Sequence, residues 1–432
     1  MNLRALPVVL AFAALSAAAS AETHFVASVG YEVEGSTSKA ALRSATALRE
    51  GLEFPSEAEL SAFLERERQD LVNRRVFSVV RVEDEEGAPE AGRVPHAVTV
   101  AVKDSFTFFP LPYPGYDSNL GFQIGVETHY DNAFGTLTDW YLDTYVVLRT
   151  RDGEYGIGPW MIHPKASRIR LLGMDWTVEL KQERQESALW DKGAKLAEWD
   201  DHHSSLNVST RLPIGGGWWV SPNANFDARY GYETRLGEGL YDKDLMSAGL
   251  GFDLSRGGAD WVGNFRKGSS ATLSASAKAL DKDGDWRIAG SATANGCWYL
   301  PFLGMNWYGR LSLPVAINDV NGSLGSYLRG VLDNRMGGTV GLFMNQSLAF
   351  SMIRWKGVFD LQVHPFVDAG LALPSGRDFD AASDIRAGLG ADVVLFVDAV
   401  SNLCIRCTAG VDPSSPDPLG ELELILVTAL SY

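Results

Sequence analysis

From about residue 120 to the end of the chain, polar and apolar residues alternate with a period of two, and this alternation constrains the fold more than any other feature. In residues 271–279, Leu273, Ala275 and Ala277 fall on one face, while residues 272, 274, 276 and 278 are Thr, Ser, Ser and Lys. Residues 224–233 and 361–371 repeat the pattern. Successive side chains of a strand point to opposite faces, so each segment predicts a strand with one wet and one apolar face.

A soluble barrel or sandwich would show the same alternation, but three features favour a transmembrane barrel. Aromatic pairs stand near segment ends, as at 140–141, 218–219, 298–299 and 307–308, where the aromatic girdles of such barrels lie. Short turns such as 131–135 alternate with polar stretches such as 183–203, which we interpret as long loops. The chain also ends on an alternating segment, 421–432, in which Leu430 and the final Tyr432 share a face.

The first 21 residues predict a secretory signal peptide. Arg4 gives a short basic start, Leu6 to Leu15 is an apolar stretch, and Ala19-Ser20-Ala21 is a small-residue cleavage site. A first transmembrane helix is the alternative, but the apolar stretch is shorter than the roughly 20 residues that span a bilayer. We therefore expect an exported chain that begins near Glu22.

Residues 22–104 predict a small α+β domain of order β-α-α-β-β. Val26 to Gly35 alternates like a strand, Ser38 lies in a helix-capping cluster, and Pro55-Ser56-Glu57 opens a second helix. Two strands follow, at 76–83 and 97–103.

Residues 105–118 are interpreted as a linker, because Pro110, Pro112 and Pro114 exclude a central strand and the surrounding aromatics suit a membrane interface. The barrel is then expected to cover residues 119–432, with Gly121 to Tyr130 as its first strand and about sixteen antiparallel strands in all, five of them after the loop described next.

An Arg-Gly pair, Arg329-Gly330, stands in the long stretch between two of these strands. Downstream, Asp368 shares a strand face with Phe366 and Gly370. Arginine presents a rigid, always-charged fork that a carboxylate binds through two hydrogen bonds. The two segments therefore predict a loop that folds into the barrel and is held there by Arg329 and Asp368, with Gly330 and Gly370 allowing close approach.

Together these segments resemble the BamA/TamA/FhaC superfamily of outer-membrane assembly and translocation proteins, over essentially the whole mature chain. The N-terminal likeness is to a single POTRA domain, and it is carried by residues 33–35, 54–56, 76–80 and 98–102. In the barrel it is carried by Leu328-Arg329-Gly330-Val331 and by residues 366–370, which match the family's F-x-D-x-G motif. Val331 stands where the family usually has an aromatic residue.

The resemblance implies a bacterial outer-membrane protein whose N-terminal domain lies in the periplasm and which inserts or translocates client proteins. Its partners would be unfolded or nascent outer-membrane or secreted proteins, periplasmic accessory proteins bound through the POTRA domain, and the lipid bilayer. Leu430 and Tyr432 would belong to a C-terminal barrel signal. Two alternatives stay open, a passive outer-membrane channel and a membrane anchor for a periplasmic lipid-transfer partner.

Other function classes find little support. The formal net charge of −16 argues against nucleic acid as a partner. Cys404 and Cys407 form a C-x-x-C without the helix start of a redox motif, which leaves packing or an incidental disulfide. Residues 200–203, Asp-Asp-His-His, are interpreted as a solvated loop rather than a metal site. We expect no catalytic residues, no metal and no cofactor.

Overall fold

The computed structural model describes residues 22–89, 92–118, 121–151, 154–191, 194–238, 245–282, 285–317, 322–374, 376–398 and 404–429. These residues divide into two compact units. The first contains residues 22–106 with 134–137, and the second contains residues 107–133 with 138–429. The predicted signal peptide, 1–21, and the terminal residues Leu430 and Tyr432 lie outside the described residues. None of the described helices is long and apolar enough to cross a membrane.

The first unit is a four-stranded mixed sheet with two helices, in sheet order β2-β1-β4-β3. Its elements are β1 (Thr23–Glu34), α1 (Lys39–Ala45), β2 (Glu53–Phe54), α2 (Glu57–Asn73), β3 (Phe77–Glu86) and β4 (Arg93–Asp104). Ser56 caps α2 by accepting a hydrogen bond from the Glu59 N–H at 3.3 Å. The helix buries Leu60, Leu64 and Leu71 at helical spacing against the sheet. This is a small α+β, POTRA-like domain.

The second unit is a closed antiparallel barrel of sixteen strands, which confirms the predicted fold class and strand number. Its strands before the loop are β5 (Phe108–Asp117), β6 (Gly121–Ala133), β7 (Thr138–Arg151), β8 (Glu154–Leu171), β9 (Met174–Asp191), β10 (Ala194–Gly215), β11 (Trp218–Leu236), β12 (Met246–Val262), β13 (Phe265–Lys282), β14 (Asp285–Phe302) and β15 (Met305–Ile317). Those after it are β18 (Val340–Trp355), β19 (Phe359–Leu373), β20 (Ile385–Val397), β21 (Cys404–Val411) and β22 (Glu423–Ala429). A four-residue helix, α3 (Ala381–Asp384), lies between β19 and β20.

Polar side chains line the inside of the barrel and apolar side chains cover its outside. Along β19, Gln362, His364 and Asp368 are buried, whereas Val367 is 55% exposed. Outside, Leu250 on β12 is 71% exposed. This arrangement is the reverse of a soluble barrel, and it suits a wall whose outer face meets lipid.

The expected linker at 105–118 is wrong, because Phe108–Asp117 form β5, the first barrel strand, and residues 121–133 are the second. Every residue of β5 pairs with β6. In the described part of its other edge, β5 pairs with the last strand, β22, only at Ile425↔Asp117 and Leu426↔Tyr116. Prolines are tolerated in a strand whose edge is largely unpaired, so their presence did not exclude a strand here.

The expected long loop at 183–203 is also wrong. Residues 183–191 and 194–203 belong to β9 and β10, whose register runs from Arg211↔Asp175 to Ala194↔Asp191. Charged side chains in this stretch pair with one another across the strands, which is how polar residues can occupy a sheet.

We call the two ends of the barrel proximal and distal, where the proximal end is the one at which the chain enters the first barrel strand. The chain enters at Phe108, and this proximal end also carries the turns at 134–137, 172–173, 216–217, 263–264, 303–304 and 356–358. The distal end carries the connections that begin after Asp117, Arg151, Asp191, Leu236, Lys282, Ile317, Leu373 and Val411.

Candidate functional site: the lumen loop and the strand seam

The connection between β15 and β18 starts at the distal end and folds into the barrel, and we call it the lumen loop. It contains a short ribbon of β16 (Gly322–Ser323) with β17 (Gly337–Gly338) and two 3₁₀ turns, Gly325–Tyr327 and Asp333–Arg335. Its apolar side chains form a buried cluster with the barrel wall, made of Leu328, Val331, Met336, Phe343 and Ala372. The loop therefore has a packed core of its own inside the lumen.

Arg329 is brought together with Asp368, as the sequence led us to expect. Its Nε donates to Asp368 Oδ2 at 2.9 Å, its Nη2 donates to Asp368 Oδ1 at 2.7 Å, and its backbone N–H donates to Asp368 Oδ2 at 3.0 Å. Asp368 is completely buried, so these donors replace the water that the carboxylate loses. The two-pronged geometry fixes the loop tip in orientation as well as position.

Further side chains, which the sequence did not identify, complete the binding of the guanidinium. Arg329 Nη1 donates to Asp392 Oδ2 on β20 and to Ser347 Oγ on β18, both at 2.9 Å. Asp392 also accepts a hydrogen bond from Thr408 Oγ1 at 2.6 Å. One arginine thus connects three adjacent strands, β18, β19 and β20. Asp392 is thus a second buried aspartate that points into the lumen, on the same face of β20 as Gly388. No motif in the sequence indicates it.

Phe366 lies under the guanidinium, with Arg329 Cζ 4.1 Å from the ring centroid. The ring is 3% exposed and supplies a cation–π contact in a desolvated site. Phe366 therefore joins the site through its face, in addition to its place in the predicted motif.

Gly330 adopts a φ of +81°, and a Cβ there would lie 2.8 Å from Val411 N. Its N–H donates to Glu423 Oε2 on β22 at 2.6 Å, which ties the loop to the last strand. Gly370 has a different role from the one expected, because a Cβ at this position would meet Phe343 rather than the loop tip, at 2.3 Å from Cδ1. The Phe343 ring stacks on Tyr327 with centroids 4.8 Å apart. Gly370 thus makes room for an aromatic pair that supports the loop.

Asp333, in the second 3₁₀ turn of the loop, carries a perturbed carboxyl. Burial raises the pKa of Asp333 to about 6, and the charge of Asp117 on β5 adds to the rise. Its neighbour Arg335 pairs with Glu421, just before β22. The loop therefore places titratable groups beside both strands that form the seam of the barrel.

The seam between β5 and β22 is the most weakly paired junction of the described wall. Besides its two register pairs, the Ser118 N–H donates to the Leu424 carbonyl at 3.1 Å. Backbone N–H groups alternate in direction along a strand, so the even-numbered positions of β5 share the side of Ser118 and point away from β6, toward the seam. Prolines occupy three of these positions, 110, 112 and 114. Since proline has no N–H, β5 cannot donate to β22 from these residues.

The other residues singled out from the sequence form no common site. Asp200 accepts from Arg184 Nη2 at 3.0 Å, whereas His203 Nδ1 lies 2.9 Å from Glu183 Oε1. In the described part of the chain, no group of three or more His, Cys, Asp or Glu side chains could hold a metal ion. All three cysteines are thiols rather than disulfides, and Cys404 is buried while Cys407 is exposed.

Comparisons with known proteins agree with this fold. No family model matches the chain. No curated protein matches it either. Among solved structures, CdiB from Acinetobacter baumannii is similar with a TM-score of 0.55 and 14% identity, over 95% of this chain and 74% of that one. CdiB from Escherichia coli gives a TM-score of 0.53 and 15% identity, over 96% and 91%.

BamA from Haemophilus ducreyi, in a form lacking POTRA domains 1–3, gives a TM-score of 0.52 and 14% identity, over 94% of this chain and 84% of that one. These likenesses extend over nearly the whole chain, through both the small N-terminal sheet and the barrel. The chain therefore shares the fold of these BamA and CdiB structures.

Proposed function

We propose that this protein is an outer-membrane barrel that inserts or translocates client proteins, with its N-terminal POTRA-like domain in the periplasm. The observation that carries the proposal is the seam, where two register pairs and a Ser118–Leu424 contact join β5 to β22. A barrel wall that must admit a polypeptide or disturb the bilayer needs one pair of neighbouring strands that separates at a low cost in free energy. The missing proline donors lower that cost at this junction.

The lumen loop supports the same proposal. Gly330 and Arg335 contact Glu423 and Glu421 at β22, while Arg329 is bound to strands on the far side of β21. The loop therefore stabilises the wall next to the seam. Client segments would reach the seam from the POTRA-like sheet, whose edge strands can accept an extended peptide by strand addition.

A disulfide across the seam tests the proposal. Asp117 and Ile425 are register partners at a non-hydrogen-bonded position, where Cα atoms lie about 4.5 Å apart, within the range that a disulfide can bridge. We expect D117C/I425C, in a background without the three native cysteines, to fold but to stop client assembly or secretion until it is reduced. The readout is the outer-membrane and secreted proteome of cells depleted of the native chain.

The matched control is Y116C/F122C, which joins β5 to β6 in the continuous part of the wall. This disulfide should leave client levels unchanged. Normal client levels with the seam oxidised would refute the proposal. Steady ion conductance together with unaltered client levels would instead favour a passive channel.

A further inference from the structure

The hairpin between β12 and β13 crosses the lumen at the proximal end of the barrel. Asn264, in its turn, donates through Nδ2 to Asp360 Oδ2 at 3.3 Å and to Asp398 Oδ1 at 3.2 Å. Asp360 lies on β19 and Asp398 directly follows β20. Three strands, β14, β15 and β18, separate β13 from β19 in the wall. These contacts therefore run through the interior of the barrel.

The same hairpin tip is packed against the far wall by an apolar contact. Trp261 lies against a buried cluster of Val394, Phe396 and Cys404, which belong to β20 and β21. Its ring also receives the guanidinium of Arg266, whose Cζ is 5.1 Å from the ring centroid. A partly buried tryptophan packed on a buried cluster and hydrogen bonds to two carboxylates are far more than an ordinary hairpin turn requires.

Two glycines allow the tip of the β12–β13 hairpin to bend away from the barrel wall and into the lumen. Gly257 and Gly268 adopt φ values of +77° and +132°, which side-chain-bearing residues rarely adopt. A Cβ on Gly257 would lie 2.2 Å from Ser269 O, and one on Gly268 would lie 2.4 Å from Gly258 O. We call residues 260–267 the latch. One such glycine lies on each strand of the hairpin at the base of the latch.

The lumen beyond the latch is suited to water and cations. A cavity of about 450 Å³ is lined by hydroxyl, amide and carboxylate groups, including Asn225, Asp227, Asp253 and Ser276. Carboxylates along a hydrated path favour cations over anions. We propose that the latch closes the proximal end of the lumen, and that its release opens an aqueous, cation-preferring passage. This role goes beyond client handling at the seam and does not depend on it.

A native thiol reports the state of the latch. Cys404 is 1% exposed and belongs to the cluster against which Trp261 packs, so we expect its reaction with a membrane-impermeant maleimide to become faster when the latch moves. In full-length protein carrying C297S and C407S, we expect N264A to raise the labelling rate of Cys404 about tenfold or more, because it removes both side-chain hydrogen bonds to the carboxylates of Asp360 and Asp398. N264A leaves Trp261 in place, so faster labelling reports movement rather than a missing cover.

The control is L303A, in the neighbouring turn of the same end, where Leu303 is 92% exposed. It should leave the labelling rate unchanged. Unchanged labelling in N264A, with heat-modifiable migration showing a folded barrel, would overturn the proposal. W261A serves as a second variant, in which labelling should exceed that of N264A.

Conductance in planar bilayers tests the passage itself. We expect N264A to spend at least tenfold more time open than the native protein and to show cation-selective reversal potentials in a KCl gradient. Adding D227N and D253N should reduce that selectivity without closing the pore. Anion selectivity, or an N264A barrel as silent as the native one, would count against the latch.

Discussion

The carbonyl oxygen of Arg329 lies directly over Gly388, so close that a Cβ at position 388 would come within 1.7 Å of it. Gly388 is on β20, opposite Asp368 in the strand register. The glycine therefore opens space beside the very carboxylate that binds the arginine. Docking of the lumen loop depends on this backbone fit as well as on charge.

Gly388→Ala should displace the loop tip although it removes no charge or hydrogen-bonding group. We expect faster hydrogen exchange across residues 324–336 in a barrel that still folds. Gly296→Ala is the matched control, because nothing lies within 4 Å of a Cβ at that position in the wall. Equal exchange in the two variants would show that the loop can shift without loosening.

Arg329→Ala should reduce client assembly while the barrel still folds. Removing one partner of a buried ion pair costs about 3–5 kcal/mol, and here Asp368 and Asp392 would both lose their cation. Arg329→Lys should recover only part of the function, because an ammonium cannot bind both carboxylates in the same planar geometry. Client levels in depleted cells are the measurement, and full activity of R329A would exclude a role for the ion pair.

Docking of the lumen loop should weaken as the pH rises through about 6. Asp333 has a pKa of about 6 in the folded loop, above its ordinary value of 3.8, so folding favours its protonated form. The contribution of the protonated Asp333 carboxyl to the stability of the docked loop is fully present below the ordinary pKa, and it is lost as the carboxyl ionises. Limited proteolysis of the loop at pH 5 and pH 7.5 measures the difference, and D333N should reduce it. A loop equally resistant at both pH values would contradict the assignment.

Replacing Pro110, Pro112 and Pro114 by valine should strengthen the seam. The three restored N–H groups would point away from β6, on the seam side of β5, and each hydrogen bond that forms there contributes about 0.5–1.5 kcal/mol. We expect a higher temperature for heat-modified migration and lower client handling. Leu111→Val, in the same strand but with the N–H directed to β6, is the control. A triple variant no more heat-resistant than L111V would mean that the seam does not use these donors.

The barrel was predictable because its signal is repeated in nearly every strand. Segments such as 271–279 and 361–371 show the alternation directly, and five strands follow the loop, as the sequence predicted. The Arg329–Asp368 contact was predictable because two short motifs had the residue types of a bidentate ion pair. The role of that contact in client handling stays a proposal.

The errors came from local patterns that tertiary structure overrode. Prolines usually exclude a strand, yet β5 contains them, and its other edge is nearly unpaired in the described part of the chain. Charged residues at 183–203 suggested a loop, yet they pair across β9 and β10. Asp392, Gly388 and the latch residue Asn264 were missed for another reason. Each acts on a partner 59 or more residues away, and nothing near it in the sequence indicates that partner.

The placement of the prolines makes the distal and proximal ends of the seam different in backbone pairing. Its backbone pairs lie at the distal end, around Asp117 and Ser118, and the residues without donors lie toward the proximal end. Such a junction would open first at its proximal end. The two strands would rotate about their paired distal end rather than separate along their whole length. The leaflet beside the proximal half of the wall would then be the first to meet whatever passes through.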